Sequence, residues 1–386
     1  MTDAFPRGKT AIVGAATFGM GEAPGYTTTE LATHASLKAL AQAGLTPKDV
    51  DGLFALLPDE SLSLLVMAEY MGIQPRIGDN TRTGGSSFEI YASLAALALA
   101  AGQCDVALIT YGSNQRSSAG KLQSTSRPSP WETPYKPMRP VSSYAMAAAR
   151  HMYQYGTTKE QLGAVALAAR QWAQRNPEAF MREPLTLEDY LESRLVCDPF
   201  GVRDCCLVTD GAAAVVMVRA ERAQDLCKRP TYVLGAAAES THYGISQMPD
   251  LTVTGVARAS QRAFAQAGVK PADIDVVELY DAFTINTILF LEDMGFCPKG
   301  EGGRFVQGGT IAPGGQLPVN TNGGGLSCVH PGMYGLFTLV EATQQIMGLA
   351  GERQVPNVNL AIAQGNGGEL SSEAVLVLGK IGRAHV

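Results

Sequence analysis

An internal repeat constrains the fold of this chain more than any other sequence feature. Residues 39–53 read ALAQAGLTPKDVDGL and residues 263–277 read AFAQAGVKPADIDVV, at an offset of 224 with no gap. In both copies a helical spacing of apolar residues ends at a glycine, and a proline turn and an apolar stretch follow. The repeat therefore predicts the same helix–turn–strand unit twice.

The likeness between the two copies extends to further elements. Residues 102–114 and 355–368 each read as a buried strand that runs into a glycine-containing loop. Each is preceded by a long apolar helix, and each helix follows a glycine-rich turn. The strand at 212–220 is echoed at 373–381. A shared order of four elements favours duplication over a chance match.

The predicted fold class is therefore α/β, with two duplicated halves at residues 1–228 and 229–386. Continuous apolar strands suit mixed sheets that helices cover on both faces. The segment from about 115 to 205 has no counterpart in the second half, so we interpret it as a loop and helical insertion in the first half. An insertion of this size commonly covers a site or makes an oligomer contact.

Composition excludes several classes of partner. The 386 residues are 46% hydrophobic and 17% charged, which is enough for a large core without disulfides or metal. The net charge is −6 and there is no Lys/Arg run, so neither nucleic acid nor a membrane is expected as a partner. No apolar stretch reaches the roughly 20 residues that span a bilayer.

Cysteine usage and the first residues indicate the compartment. Seven cysteines, an odd number without a CxxC pair, suggest a reducing environment and no metal site. The opening MTDAFPRGKTAIVG lacks a signal-peptide layout. We expect a cytoplasmic protein.

Two glycine-rich turns mark the candidate site. The stretch NGGGLSCVHPGMYG (322–335) carries His330 and Tyr334, and NTRTGGSS (80–87) carries Ser86 and Ser87. Each turn leads into an apolar helix, and helix N-termini offer free N–H groups and a positive dipole end. Two such ends at a pseudo-twofold axis would suit an enolate or oxyanion. Plain turns remain the alternative interpretation.

Four motifs carry a family resemblance across the whole chain: TDGAAAVVMV (209–218), VELYDAFT (277–284), VHPGMYG (329–335) and GNGGELSSEAVLVLG (365–379). Together they resemble the thiolase superfamily, specifically the sterol-carrier-protein-like, lipid-transfer-type thiolases. The resemblance implies a five-layer αβαβα thiolase fold. It also implies a homodimer formed through the sheet of the first half, where the strand DVALITYG is a candidate, and a small partner with an OB-fold and a zinc ribbon.

The departures from the family pattern concern the sulfur nucleophiles. The position of the nucleophilic cysteine falls on Gly85, or on Ser86 if the alignment slips by one. The position of the second family cysteine falls on Gly365 or Asn366. A serine without an adjacent base is a poor nucleophile. Chemistry through an S-acyl enzyme is therefore not expected.

The remaining groups favour proton transfer. The resemblance implies that His330 binds the thioester oxygen of the substrate. Tyr280 stands where the family has the Asn or His that completes this oxyanion site. Asp281 follows Tyr280, and Tyr334 lies four residues after His330, about one turn away if the helix has begun. A tuned tyrosine can transfer protons. Tyr280, His330, Tyr334 and Asp281 are the predicted catalytic residues, although Asp281 could instead orient a neighbour or cap a helix.

This pattern resembles the thiolase-like aldolases of bacterial steroid side-chain degradation. The implied reaction is retro-aldol cleavage of a β-hydroxyacyl-CoA, in which Tyr280 or Tyr334 takes the hydroxyl proton and a ketone or aldehyde leaves. His330 and backbone N–H groups hold the enolate, and the other tyrosine or a water protonates it. Coenzyme A enters only as part of the acyl-CoA substrate, and no tightly bound cofactor is expected.

Other residues receive weaker assignments. Substrate contacts are predicted for Asn366, which could hold a water, for Ser86 and Ser87, which could instead be N-caps, and for His242 in the loop ESTHYGISQM. Cys328 is interpreted as a small packing residue, and Cys205 and Cys206 as buried. Basic residues of the insertion could meet the CoA phosphates or be plain surface, and none is assigned: Arg116, Lys121, Arg127, Lys136 and Arg139.

Two alternative functions stay open. One is an acetyl-CoA acetyltransferase or thiolase-type acyltransferase with an unexpected nucleophile, such as Cys328 or Ser87. The other is a non-catalytic subunit that binds acyl-CoA or lipid.

Overall fold

The computed structural model describes residues 5–121 and 130–380. The strands are β1 (Thr10–Gly21), β2 (Gly52–Leu56), β3 (Ile77–Asp79), β4 (Val106–Ser113), β5 (Leu195–Cys197), β6 (Phe200–Gly201), β7 (Asp210–Arg219), β8 (Thr231–Ser240), β9 (Val276–Glu278), β10 (Leu360–Gly367) and β11 (Ser372–Gly379). The helices are α1 (Thr28–Gln42), α2 (Ser63–Met71), α3 (Ser87–Ala100), α4 (Gln115–Ala119), α5 (Val141–Tyr155), α6 (Lys159–Gln174), α7 (Leu187–Leu191), α8 (Ala220–Leu226), α9 (Val256–Ala267), α10 (Thr284–Asp293), α11 (Gly302–Phe305) and α12 (Gly335–Met347).

The strand order repeats between the halves. Outward from the centre the first half reads β1-β7-β4-β2-β3 and the second reads β8-β11-β10-β9, within one mixed sheet of the described residues. Corresponding neighbours pair with the same direction: β2 is parallel to β4 as β9 is to β10. At the place that β3 occupies in the first half, Val319 forms a parallel bridge with Val277. The prediction of two duplicated α/β halves with mixed sheets is confirmed, while the boundary at residue 228 stays a prediction.

Helices separate the two halves into layers. The helices α3 and α12 pack against each other and against strands of both halves, while α1 covers β1, β4 and β7 and α9 covers β8 and β11 on the outer faces. The sheets join through a short pairing in which Ala11 faces Tyr232 and Ile12 faces Thr231. The five-layer arrangement that the resemblance implied is therefore present, and it places the N-termini of α3 and α12 in the middle.

Side-chain contacts repeat with the sequence. Gln42 accepts a hydrogen bond from the Ala15 N–H at 2.9 Å, and Gln266, which lies 224 residues further on, accepts one from the Ala236 N–H at 2.8 Å. Each glutamine thereby fastens its helix to the neighbouring strand. A duplicated backbone alone would not require this, so the repeat preserves a packing contact as well as a pattern.

Two glycines mark the closest helix–strand approach in each half. A Cβ on Gly14 would overlap the carbonyl oxygen of Ala39, and a Cβ on Gly235 would overlap that of Ala263. Neither glycine has a positive φ. These positions therefore require glycine for space, so that α1 and α9 can lie directly on their strands.

The insertion contributes α5, α6 and α7, which confirms its predicted helical part. It packs on the second half: α5 and α6 contact α10, and α6 also contacts a single π-helical turn at Gly324–Cys328. His151 of α5 is buried between Thr157 and the carboxylate of Glu292. The insertion thus covers the region around the second glycine-rich turn. Arg127 lies outside the described residues.

The strand DVALITYG, named as a candidate for the dimer contact, lies inside the sheet and not at its edge. The sequence DVALITYG forms β4, which pairs with β2 on one side and β7 on the other. Its backbone groups are therefore already used and cannot pair with a second copy. The edge strand of this half is β3, which any strand-to-strand contact of this half would have to use.

Among residues 5–121 and 130–380, none of the helices combines the length and the apolar character needed to cross a bilayer.

We expect Gly14→Ala and Gly235→Ala each to lower the free energy of unfolding by about 1–3 kcal/mol or more, because the added methyl group meets a fixed carbonyl oxygen. Denaturant unfolding measures this loss. Gly255→Ala is the matched control, since Gly255 has a φ of −62° and a Cβ there comes no closer than 3.3 Å to a neighbour. If either variant were as stable as the control, the close-approach interpretation would be wrong.

Candidate active site

The N-termini of α3 and α12 meet at the centre of the molecule, as the two glycine-rich turns predicted. A Cβ on Gly335 would overlap the carbonyl oxygen of Gly85, so the two turns touch. The free N–H groups and positive dipole ends of both helices therefore face one small region. Such a region favours negative charge.

Tyr280 enters this region from the loop after β9. Its main chain is held by two buried side chains: its N–H donates to Gln364 at 3.0 Å, and its carbonyl accepts from Asn286 at 3.2 Å. The ring is 5% exposed and lies directly over Gly85. Tyr280 is thus fixed at both its backbone and its ring.

His330 lies beside Tyr280. Its N–H donates to the hydroxyl of Thr209 at 2.9 Å, and its carbonyl accepts from Gln115 at 2.8 Å. Its Nε2 is 3.1 Å from the hydroxyl of Tyr280, while Nδ1 has no partner in the described part of the chain. Burial lowers the pKa of His330 to about 4, so the imidazole is neutral at pH 7.

Tyr334 completes an aromatic cluster with these two residues. Its ring centroid is 5.8 Å from that of Tyr280 and 6.4 Å from that of His330. Its hydroxyl donates to Asn322 at 2.8 Å. The spacing of one helical turn between His330 and Tyr334 depended on a helix that had already begun. This helix is absent there, because α12 begins only at Gly335 and residues 331–334 form a non-helical loop.

The carboxylate of Asp281 contacts the π-helical turn. Its Oδ1 accepts a hydrogen bond from the N–H of Gly325 at 2.6 Å, and its Oδ2 is buried without a partner among the described residues. Burial raises the pKa of Asp281 to about 7, although the Gly325 bond opposes this shift. The contact supports the interpretation that Asp281 orients the turn preceding His330.

Both tyrosines are protonated phenols at neutral pH. Burial, followed by the neighbouring Cys206 thiol, raises the pKa of Tyr280 well above 10. Burial, followed by the Asp281 carboxylate, raises the pKa of Tyr334 in the same direction. In the resting site the phenols therefore act as hydrogen-bond donors.

Asn366 adjoins the cluster at the end of β10. Its backbone oxygen borders the space above Gly85, its Nδ2 donates to the hydroxyl of Tyr144 at 2.8 Å, and its Oδ1 is buried without a partner among the described residues. Tyr144 belongs to α5 of the insertion, and its ring packs on Phe283 at 4.6 Å. Tyr144 could not be predicted from the sequence, because no local pattern relates the insertion to Asn366.

Two more residues at the site, Asn322 and Glu89, were not predicted from the sequence. Asn322, at the start of the second glycine-rich turn, accepts from both Tyr334 and the N–H of Gly324. Glu89 is buried in the first turn of α3, where burial raises its pKa to about 8. Glu89 could have been suspected from the sequence, because it is an acidic residue in the first turn of the helix that follows Ser86 and Ser87.

The predicted serines are engaged with protein groups. Ser86 donates to Ser372 at 2.9 Å and lies 3.0 Å from the hydroxyl of Thr83, and Ser87 accepts from the N–H of Thr83. Ser86 occupies the N-cap position of α3 but makes no side-chain capping bond. Ser86 therefore has the predicted N-cap position but does not make the hydrogen bond of an N-cap, because its buried hydroxyl donates to Ser372 instead.

The hydrogen bonds of His242 run to Thr241 and Glu369, which are not members of the aromatic cluster. His242 is half-buried, and its Nε2 lies 3.0 Å from the backbone oxygen of Glu369. Two basic residues of the insertion are engaged in ion pairs, Arg116 with Glu22 and Arg139 with Glu369.

The cysteines differ in exposure. Cys328 is fully buried and burial raises its thiol pKa well above 9, which fits the packing role. Cys205 and Cys206 were predicted to be buried, but both are half-buried. The prediction was wrong because the segment around residues 202–208 forms the wall of a cavity.

This cavity has a volume of about 320 Å³. Its lining comes from α6, from the segment 202–208 and from the π-helical turn, and it includes Arg170 and Cys206. The segment also borders the site, since the Cys206 N–H donates to the carbonyl of Ala282 at 2.8 Å. The cavity wall is therefore hydrogen-bonded to the loop that carries Tyr280, and Val202 in its lining is exposed.

Comparison with known proteins places this geometry in a family. Residues 237–380 match the model described as "Thiolase C-terminal domain-like". The 17-hydroxy-3-oxo-4-pregnene-20-carboxyl-CoA lyase of Mycobacterium tuberculosis is 35% identical over 364 residues, which cover 88% of this chain and 92% of the relative. An acetyl-CoA acetyltransferase of Methanothermobacter thermautotrophicus is 31% identical over 388 residues, which cover 96% and 99%.

A solved structure described as "Ltp2-ChsH2(DUF35) aldolase" superimposes with a TM-score of 0.89 at 32% identity, over 98% of this chain and 99% of that chain. The sequence relatives and this superposition extend over nearly the full length of the described fold. The chain belongs to the thiolase superfamily.

Proposed function

We propose that this protein is a carbon–carbon lyase that cleaves a β-hydroxyacyl-CoA by a retro-aldol reaction. The observation that carries the proposal is the buried cluster of two phenols around a neutral imidazole. In the described part of the chain, its hydrogen bonds run to hydroxyl, amide and peptide groups. Such a cluster moves protons and does not need a covalent intermediate.

The reaction starts at the β-hydroxyl of the substrate. Tyr280 is the better placed base, because its oxygen can take the hydroxyl proton while its own proton passes to His330 Nε2, 3.1 Å away. The Cα–Cβ bond then breaks, the β-carbon leaves as a ketone or aldehyde, and the electron pair forms an enolate of the thioester. His330 and the N–H groups at the helix N-termini stabilise that negative charge.

Protonation of Cα completes the reaction. Tyr334 is the better placed acid, because its hydroxyl is a donor whose partner is the amide oxygen of Asn322. Exchange with solvent water then removes the proton held by His330 and restores the one that Tyr334 gave up, so that both groups return to their resting forms. The net result moves the hydroxyl proton to Cα, so the thioester and its CoA stay intact.

The 320 Å³ cavity is the proposed site for the acyl-CoA. Its size is in the range of ligand pockets, its lining is mainly apolar, and Cys206 in its wall donates a hydrogen bond to the loop that carries Tyr280. Arg170 supplies a buried positive charge whose guanidinium donates to Ser327 and to the carbonyl of Glu183. A cation held in this way can face an anionic part of the substrate.

The proposals for the substrate class and the partners rest on the similar proteins. The name of the mycobacterial lyase describes a steroid whose 17-hydroxyl is β to the thioester carbonyl. We propose a substrate of that kind. We also propose a homodimer, a small OB-fold and zinc-ribbon partner and a cytoplasmic location. The two components of the similar aldolase structure, Ltp2 and ChsH2(DUF35), support a partner.

The acyltransferase alternative draws support from the archaeal acetyltransferase relative. Its suggested nucleophiles do not suit it. Cys328 is buried with a raised thiol pKa, and the hydroxyl of Ser87 is held by Thr83. A non-catalytic binding subunit would not need a neutral histidine fixed against a phenol.

We expect 17-hydroxy-3-oxo-4-pregnene-20-carboxyl-CoA, or a close β-hydroxyacyl-CoA, to give a 17-ketosteroid and propionyl-CoA. Mass spectrometry identifies both products, and a thiol reagent should detect no free CoA. Free CoA, or an acyl group attached to the polypeptide during turnover, would favour the acyltransferase. Because Cys205 and Cys206 line the cavity, the assay is repeated on a variant with both changed to serine, which should stay active after alkylation.

Tyr280→Phe and Tyr334→Phe should each lower kcat about 100-fold or more, since positioned proton transfer contributes about 10²–10⁴-fold. KM should change by less than about threefold, because both rings remain. Steady-state kinetics measures both parameters. Tyr91→Phe is the control: Tyr91 is equally buried, but its hydroxyl donates to the carbonyl of Thr81 outside the cluster. Unchanged kcat in both test variants would remove the proposed roles.

The pH profile of kcat/KM should lack an acid limb near 6.5, the pKa of an ordinary histidine. His330 has a folded pKa of about 4, so it stays neutral as the pH falls from 7 to 5. An inflection near pH 7 would belong to Asp281, whose pKa is about 7, and should disappear in Asp281→Asn. A limb near pH 6.5 that persists in Asp281→Asn would contradict the neutral, buried histidine.

A further inference from the structure

The ring of Tyr280 occupies the space that a side chain at position 85 would fill. A Cβ added to Gly85 would lie inside the ring edge, well under 3.0 Å from Cε2 and 2.8 Å from Cδ2, and 2.7 Å from the backbone oxygen of Asn366. Gly85 is not among the glycines with a positive φ. An alanine would therefore fit the backbone conformation, and what opposes it is the space filled chiefly by the ring of Tyr280 and also by the backbone oxygen of Asn366.

Tyr280 has little freedom to retreat from a larger residue. Gln364 and Asn286 hold its N–H and its carbonyl. Its ring meets those of His330 and Tyr334 edge-on, with interplanar angles of 87° and 81°. A ring packed on these sides can be displaced only by breaking one of the contacts that place its hydroxyl.

We propose that Gly85 is a positioning residue for the reaction: the missing side chain sets the depth of the Tyr280 ring and thereby the 3.1 Å contact between its hydroxyl and His330. Positions 85 and 280 form a complementary pair, in which a side chain at 85 excludes a large ring at 280. The catalytic part of this inference rests on the proposed function, whereas the packing part does not.

The expected size of the effect follows from the geometry. To bring a Cβ at position 85 to an ordinary contact of 3.4 Å, the ring must move by more than about 1 Å. That displacement separates the hydroxyl from His330 Nε2. Misplacement of a reacting group by 1 Å lowers a rate by about 100-fold.

The first experiment compares Gly85→Ala with Gly255→Ala in steady-state kinetics on the β-hydroxyacyl-CoA. Gly85→Ala should lower kcat about 100-fold and leave KM within about threefold, because the cavity itself is unchanged. Gly255→Ala, at the start of α9 and away from the site, should keep both within about twofold. A Gly85→Ala enzyme with kcat within about threefold of the parent overturns the positioning role.

The second experiment measures the packing part by thermal unfolding and needs no activity. Gly85→Ala is introduced into the parent, into Tyr280→Phe and into Tyr280→Ala. The Tm should fall by about 2 °C or more in the first two backgrounds, which keep the ring, and by clearly less in Tyr280→Ala, which removes it. Equal falls in all three backgrounds overturn the pairing of positions 85 and 280.

The two experiments also separate the inference from the function. If the parent protein shows no lyase activity, the proposed function fails, yet the difference between the Phe and Ala backgrounds still tests the packing. If Gly85→Ala alone does not fold, folding of Gly85→Ala/Tyr280→Ala supports the pairing, and failure of that double variant, with Tyr280→Ala folded, overturns it.

Discussion

The contact between the starts of α3 and α12 is the constraint on which the rest of the structure depends. Gly335 lies so close to the carbonyl of Gly85 that neither a Cβ nor a water could stand between them. This approach allows two helix N-termini to converge, and their combined dipoles define where negative charge is stabilised. Gly335 and Gly365 also make room for the carboxyl group of Glu89, which lies between the halves with Thr338 as its hydrogen-bond partner.

The site is held rigidly by buried polar groups that do not take part in the reaction. Gln364, Asn286 and Thr209 use their side chains to fix the main chains of Tyr280 and His330. Burying such groups is favourable only because each is hydrogen-bonded. The buried atoms left without partners in the described part of the chain include Nδ1 of His330, Oδ2 of Asp281 and Oδ1 of Asn366, which lie at or beside the site. Unsatisfied buried atoms are expected where a substrate will later bind.

One fold supports more than one reaction in this superfamily. A named lyase and a named acetyltransferase resemble this chain to a similar degree and over nearly its full length. The fold therefore does not decide the chemistry. We propose that the difference lies in a few positions, among them the glycine at 85 and the large phenol at 280.

The sequence by itself determined the architecture. The 224-residue repeat predicted the duplicated strand order, and the glycine-rich turns and family motifs pointed to His330, Tyr280 and Tyr334, which the fold brings together. These signals are local or periodic, because helix and strand patterns are set by neighbouring residues. They can be interpreted without knowing how elements pack.

Only the tertiary structure decided the contacts between distant segments. Tyr144 and Asn366 are 222 residues apart and belong to unrelated patterns, yet they share a hydrogen bond. The strand DVALITYG became an interior strand, and Cys206 became part of a cavity wall, because of what packed on either side of them. Gly85 could be identified in the sequence as a missing cysteine, but its function as space for Tyr280 follows from two loops meeting in three dimensions, and no local pattern encodes that distance.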